Sequence, residues 1–98
     1  MVGDVMSKGL LTNSLDADGQ LVERSGNLML VHITSGETAG TVTIYDGTDT
    51  DGTAIFTATG VASATADFPI PNPGVHYETG LYGDLDANVT EVRAYWDE

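Results

Sequence analysis

The chain has no cysteine, and among its 98 residues there are only three prolines, two histidines and three basic side chains. Each shortage closes off a class of explanation. Without cysteine no disulfide staples the fold and no thiolate holds a metal, which suits a protein made and used without an oxidising environment. No run approaches the roughly 18 consecutive apolar residues of a membrane span. The first residues, "MVGDVMSKGLL", carry Asp4 early and lack the apolar stretch of a signal peptide, so export by an ordinary signal is not expected. The bases Lys8, Arg24 and Arg93 are scattered among fifteen acids, for a net charge of −12. Phosphate backbones and anionic lipid surfaces are gripped by Lys and Arg. Neither nucleic acid nor a membrane is therefore an expected partner. The acids read as a solvated, self-repelling surface that favours solubility.

Helical periodicity is also missing, because Gly, Thr and Asp interrupt every long window. What is present is a series of short β-branched and apolar runs separated by turn residues, the pattern of an all-β chain. "KGLLTNSL", "QLVER", "NLMLVHIT", "TVTIYDG", "AIFTATG", "ATADFPI", "VHYETGLYGDL" and "VTEVRAYW" are the candidate strands. "NLMLVHIT" is so continuously apolar that burial on both faces is expected. In "VTEVRAYW", Val92, Ala94 and Trp96 fall on one face, with Glu91, Arg93 and Tyr95 on the other. Seven to eight strands with turns every 8–12 residues predict a small antiparallel β-sandwich, jelly-roll-like. Residues 1–15 form an N-terminal segment, either an arm or a first strand, and residues 16–98 form the sandwich domain.

All three prolines, Pro69, Pro71 and Pro73, lie in one short stretch, "FPIPNPGVHYETGLYGDL". Proline donates no hydrogen bond and fixes φ, so this strand belongs at a sheet edge. Asn72-Pro73-Gly74 supplies a turn with Gly74 free to take positive φ. A stiff connector here predicts that the chain changes sheets at the prolines. Gly80 interrupts the alternation that starts at Val75, which predicts a tight corner, a bulge or a positive φ.

Chemistry is harder to find. "DADG" at 16–19 and "DGTDTDG" at 46–52 contain the D-x-D-G core of a calcium loop. The twelfth position of each is Ser25 or Ala58, not the bidentate Glu that such a loop needs. Asp-Gly is equally a tight-turn dipeptide, so turns rather than metal loops are expected. Asp46, Asp49 and Asp51 are the ligands if calcium binds. His32 and His76 occupy no metal-binding spacing, and His32, in the most apolar strand, reads as a hydrogen-bonded structural residue. No G-x-S-x-G nucleophile elbow occurs. No catalytic residue, cofactor or metal is expected. Sugar-binding modules present exposed aromatics; Tyr45, Tyr82 and Tyr95 are the ones expected to face outward, though core packing and subunit contacts use aromatics too.

From about Leu28 onward, "LVHITSGETAGTVTIYDGTDTDGT", the Pro-rich corner, the "GVHYETGLY" turn and the "VTEVRAYW" end strand together resemble small tailed-bacteriophage virion proteins of the capsid decoration or cement type. The resemblance covers roughly 70 residues; the acidic "WDE" end departs from the usual finish of that group. It implies a small β-sandwich without catalysis, often trimeric, bound to the major capsid protein on the outer surface of a virion and made in the host cytoplasm. The interface candidates are Val5, Met6, Leu10 and Leu11 of the N-terminal segment, and Tyr82, Tyr95 and Trp96. The alternative is a carbohydrate-binding or fibre/receptor-binding module of a phage.

Overall fold

The computed structural model describes residues 10–98, whose regular structure is strand throughout. The strands are β1 (Leu11–Leu15), β2 (Gly19–Val22), β3 (Gly26–Ser35), β4 (Thr41–Asp46), β5 (Thr53–Thr59), β6 (Thr65–Pro69), β7 (Val75–Tyr77), β8 (Leu81–Leu85) and β9 (Val89–Asp97). They form two antiparallel sheets. The first has the order β1-β9-β3-β6, with β7 also paired to β3, and the second has the order β2-β8-β4-β5. Only β4 and β5 are sequence neighbours paired in the same sheet; most other links cross the sandwich, which is the strand order of a jelly roll. β6 and β7 lie end to end along β3, β7 opposite Gly26–Leu28 and β6 opposite Leu30–Thr34. Nine segments thus fill eight positions, and "VHYETGLYGDL" is two strands where one was expected.

That division corrects the reading of the prolines. The chain does not change sheets there. Pro69 sits on the edge strand β6, Ile70 donates its N–H to the Met29 carbonyl (2.9 Å), and the chain turns back onto the same strand β3. The turn is closed by Gly74 N–H to the Pro71 carbonyl (2.7 Å), with a cis Asn72–Pro73 peptide and Gly74 at φ +89°. The change of sheet comes later, over Glu78–Gly80, between β7 and β8.

β3 also differs from expectation. Leu28, Val31, Ile33 and Ser35 are buried, while Leu30, His32 and Thr34 between them are only half-buried. The spacing of Leu28 and Val31 fits one face because a register shift against β9 falls between Leu28 and Leu30. The strand is central and long, but no layer of the described residues covers its outer side.

The core lies between the sheets. Leu28, Val31, Ile33, Val92, Ala94 and Trp96 from the first sheet meet Leu21, Val42, Ile44 and Leu81 from the second, with Tyr77 fully buried among them. One long side is closed by Phe56 and Phe68, on the edge strands β5 and β6, whose rings meet edge to face at 6.2 Å. On the opposite side, β1 and β2 stand apart and leave a cleft.

Candidate functional site

Three surfaces present functional groups, and each is fixed by the strand register. In antiparallel pairs, directly opposed residues share a face. On the outer face of the first sheet this gives one row of Thr12, Tyr95, Leu30 and Pro69, and a second of Ser14, Arg93, His32 and Asp67. His32 Nδ1 lies 3.2 Å from Asp67 Oδ1, and its ring is tilted against Tyr95 with centroids 5.2 Å apart. Arg93 donates to the Thr12 and Ser14 hydroxyls at 3.1 and 3.4 Å. His76 is on β7, where its Nδ1 is 3.0 Å from Asn27 Oδ1. His76 therefore has a hydrogen-bonding partner, whereas half-buried His32, expected as a hydrogen-bonded residue, lies at ion-pair distance from Asp67 on the solvent side of its strand.

The outer face of the second sheet carries Tyr45 and Tyr82 directly opposite one another, with Gln20 beyond Tyr82 and the Thr43–Asp84 pair alongside. Both tyrosines are half-buried. The Thr43, Thr57, Thr41 and Thr59 hydroxyls continue the surface toward β5, with Thr41 and Thr59 2.9 Å apart.

The cleft between β1 and β2 has a volume of about 540 Å³. Thr12 and Asn13 form one wall, Glu23 and Arg24 the other, and Trp96 borders it. Asn13 Nδ2 reaches across to the Leu21 carbonyl (3.1 Å), tying the two edge strands together. At the chain end Glu98 accepts from Trp96 Nε1 (3.4 Å) and pairs with Arg24 (3.3 Å).

The acidic turns do structural work that composition did not reveal. Asp46 accepts N–H groups from Thr79 (2.8 Å), Glu78 (3.0 Å) and Gly80 (3.4 Å), so one carboxylate holds the whole crossover between sheets. Burial pushes its pKa up, but these three amides and the nearby His76 outweigh that, and the net position is below the ordinary 3.8. Asp18 accepts from the Leu85 amide (2.7 Å), Asp86 from Thr41 and Asn88 (2.9 and 2.8 Å), and Asp49 from Asp51 (2.9 Å). Asp46, Asp49 and Asp51 are thus not a converging ligand set: Asp46 faces the crossover while Asp49 closes its own turn.

Gly80 lies in this crossover, and the reason for glycine differs from the expected positive φ, which it does not adopt. A Cβ there would collide with the Val22 carbonyl and come within 2.9 Å of Gln20 Nε2. That amide donates to the Val22, Gly47 and Leu81 carbonyls at 2.7, 2.9 and 3.0 Å, and Gly47 N–H bonds the Gly80 carbonyl at 3.2 Å. The corner is tight because Gln20 and Asp46 grip it from both sides.

Among the described residues, the interface candidates do not come together. Val5 and Met6 lie outside the described residues. Leu10 and Leu11 are 47% and 46% exposed at the start of β1, beside the cleft. Tyr82 and Tyr95 point from opposite faces of the sandwich, and Trp96, 5% exposed, belongs to the core. Of the other aromatics, Tyr77 is core like Trp96, and Phe56 and Phe68 pack on it.

No protein family model matches the chain, and no curated protein or solved structure matches it either. The geometry above is what bears on function. The roles of Asp46 and Gln20 were not legible beforehand, since each depends on residues about 30 or more positions away.

Proposed function

We propose that the protein is a non-enzymatic phage structural protein that decorates and stabilises the outer capsid surface, is made in the host cytoplasm and binds the major capsid protein as a homo-oligomer. The observation that supports this reading is the jelly roll itself, with its polar groups spent on holding backbone: Asp18, Asp46, Asp86, Asn13 and Gln20 all bond main-chain groups at strand ends and corners. Such pinning gives a stiff two-sheet slab, which is what a clamp between coat subunits requires. The strand order is one that capsid and lectin domains share, a fold-level analogy. The acidic exterior suits the outside of a capsid and not its packaged genome. Exposed Leu10, just before the edge strand β1, and Leu11, on it, offer apolar contact to the coat beside a strand edge unpaired among the described residues.

The test is binding of the purified protein to capsids that lack it, followed by the same measurement after deletion of residues 1–9 and with Leu10 and Leu11 changed to Ser. Saturable binding of the intact chain, weakened in the variants, supports the proposal. Undiminished binding of the variants removes the N-terminal contact, and no binding by the intact chain removes the capsid role.

A second reading has its own observation. Tyr45 and Tyr82, opposed on the outer face of the second sheet and flanked by Thr43, Asp84 and Gln20, form a surface of aromatic and hydroxyl groups suited to a sugar ring. A glycan array decides it: a hit abolished by Tyr82→Ala favours a carbohydrate-binding or receptor-binding module.

A further inference from the structure

Three Asp-Gly pairs occur in the chain, Asp18-Gly19, Asp46-Gly47 and Asp51-Gly52, and there is no Asn-Gly pair. Glycine after aspartate puts no Cβ beside the next main-chain nitrogen, so each pair is a place where that nitrogen can reach the aspartate's own side-chain carboxyl. The fold treats the three pairs unequally. The Asp18 carboxylate accepts the Leu85 amide at 2.7 Å, and Gly19 is already in β2, opposite Gly83. The Asp46 carboxylate accepts the Glu78 and Thr79 amides at 3.0 and 2.8 Å, and buried Gly47 donates its N–H to the Gly80 carbonyl at 3.2 Å. Asp51 lies on the exposed tip of the β4–β5 hairpin, residues 48–51. The bonds at this turn run from the Asp51 N–H to Asp49 Oδ1 (2.9 Å) and from the Gly52 N–H to the Asp49 carbonyl (3.3 Å). Neither engages the Asp51 carboxylate, which has no bonded partner among the described residues.

We propose that Asp51-Gly52 is a self-modification site, at which the folded protein converts aspartate to isoaspartate while the fold holds Asp18 and Asp46 as aspartate. In the first step the Gly52 nitrogen bonds to the side-chain carboxyl carbon of Asp51. The carboxyl hydroxyl leaves as water with the amide proton, and a five-membered succinimide closes. Water then adds to the ring. Breaking the bond between the Asp51 main-chain carbonyl carbon and the Gly52 nitrogen leaves the chain running through the Asp51 side chain; breaking the bond at the side-chain carbonyl restores aspartate. One water is released and one consumed, so no other reactant is needed. At Asp51 a single long turn bond must open first. At Asp18 or Asp46 a hydrogen bond to a charged acceptor is lost as well, a difference of about tenfold or more in rate. The product adds one carbon to the main chain of the hairpin. Gly52 packs so closely on the Asp46 carbonyl that a Cβ would collide with it, and Asp46 pairs with Thr53 at the hairpin base. The added carbon therefore acts on the residue that holds the β7–β8 crossover.

The test is incubation of the full chain at neutral pH in oxygen-labelled water, in native buffer and in parallel in urea, continued until the urea sample is modified at all three pairs. Peptide mapping with electron-transfer fragmentation then distinguishes isoaspartate from aspartate at each position. In urea the three pairs are expected to isomerise at similar rates. In native buffer, label and isoaspartate are expected at Asp51 at about tenfold or more the level at Asp18 and Asp46. Asp51→Glu, for which the ring would have six members, is expected to lose the modification while circular dichroism shows the same fold. Native protein without isoaspartate at Asp51, equal levels at all three pairs, or an undiminished total in Asp51→Glu overturns the proposal. The aged fraction is expected to melt below fresh protein, and an unchanged midpoint overturns the link to Asp46. Capsid binding, measured separately, tests the capsid role and not this chemistry.

Discussion

Asp46 holds the β7–β8 crossover between the sheets, and replacing it gives a quantitative test. Asp46→Ala removes one acceptor shared by the Glu78, Thr79 and Gly80 amides, two of them at good distance and one long at 3.4 Å. Bonds to a charged acceptor contribute about 1.5–3 kcal/mol each when sequestered. This carboxylate is near the surface, and the released amides regain water, so the whole loss should be about 1–2 kcal/mol, similar to losing a helix N-cap. At 4–8 °C per kcal/mol for a domain of this size, the midpoint should fall by roughly 5–15 °C at pH 7. Asp46→Asn keeps the shape and one acceptor oxygen, and should fall part of the way. The pH dependence separates charge from packing. The folded pKa is depressed below 3.8, so the stabilisation is present above the unfolded value and is lost as pH falls through the folded one. The gap between wild type and Asp46→Asn should therefore narrow as melts are taken from pH 7 to below 3.8. Variants melting within a degree of wild type at pH 7, or a gap that stays constant through acidification, would refute the argument.

Other changes follow from the same geometry. Gly80→Ala should cost about 1–3 kcal/mol by overpacking against the Val22 carbonyl and Gln20, and Gly80→Val more; an unchanged urea midpoint would contradict the close approach. The Tyr77 hydroxyl is buried with no hydrogen-bond partner among the described residues, and burial first, then Glu98 and Asp46, pushes its pKa up. Tyr77→Phe should thus be neutral or stabilising, since an unsatisfied buried hydroxyl carries a penalty of about 1–3 kcal/mol, and a loss above ~1 kcal/mol in denaturant unfolding would show that the hydroxyl is bonded. Leu28→Ala, in the middle of the core, should destabilise by about 2–5 kcal/mol. Gln20→Ala should release the corner at β2 and be non-additive with Asp46→Ala in a double-mutant cycle, because both hold the same crossover.

The all-β class, the jelly-roll-like sandwich and the inward face of β9 were legible because they rest on period-two alternation, a local signal. The outward placement of Tyr45, Tyr82 and Tyr95 followed from the same alternation. What local pattern could not carry was the place of each turn in the sheet order. Prolines mark an edge and a turn, but nothing in Pro69–Gly74 tells whether the next strand joins the same sheet. The bulge after Leu28 hid one-sided burial inside an apolar run, because a register shift lets two residues at odd spacing face the same way. Gly80 was rightly singled out as a tight corner, but it does not take positive φ: its constraint comes from Val22 and Gln20, nearly sixty residues away in sequence. Asp46 and its neighbours looked like metal ligands or turn formers, and only the packed crossover shows Asp46 capping three amides.

The capsid role is tested most directly by quantitative mass spectrometry of purified virions from cells carrying the gene, combined with surface labelling of the intact particles. The proposed function predicts the protein in fixed stoichiometry to the major capsid protein, with exposed carboxylates of the sandwich labelled on intact particles. Absence from purified virions, or a protein that labels only after the particles are opened, would contradict it.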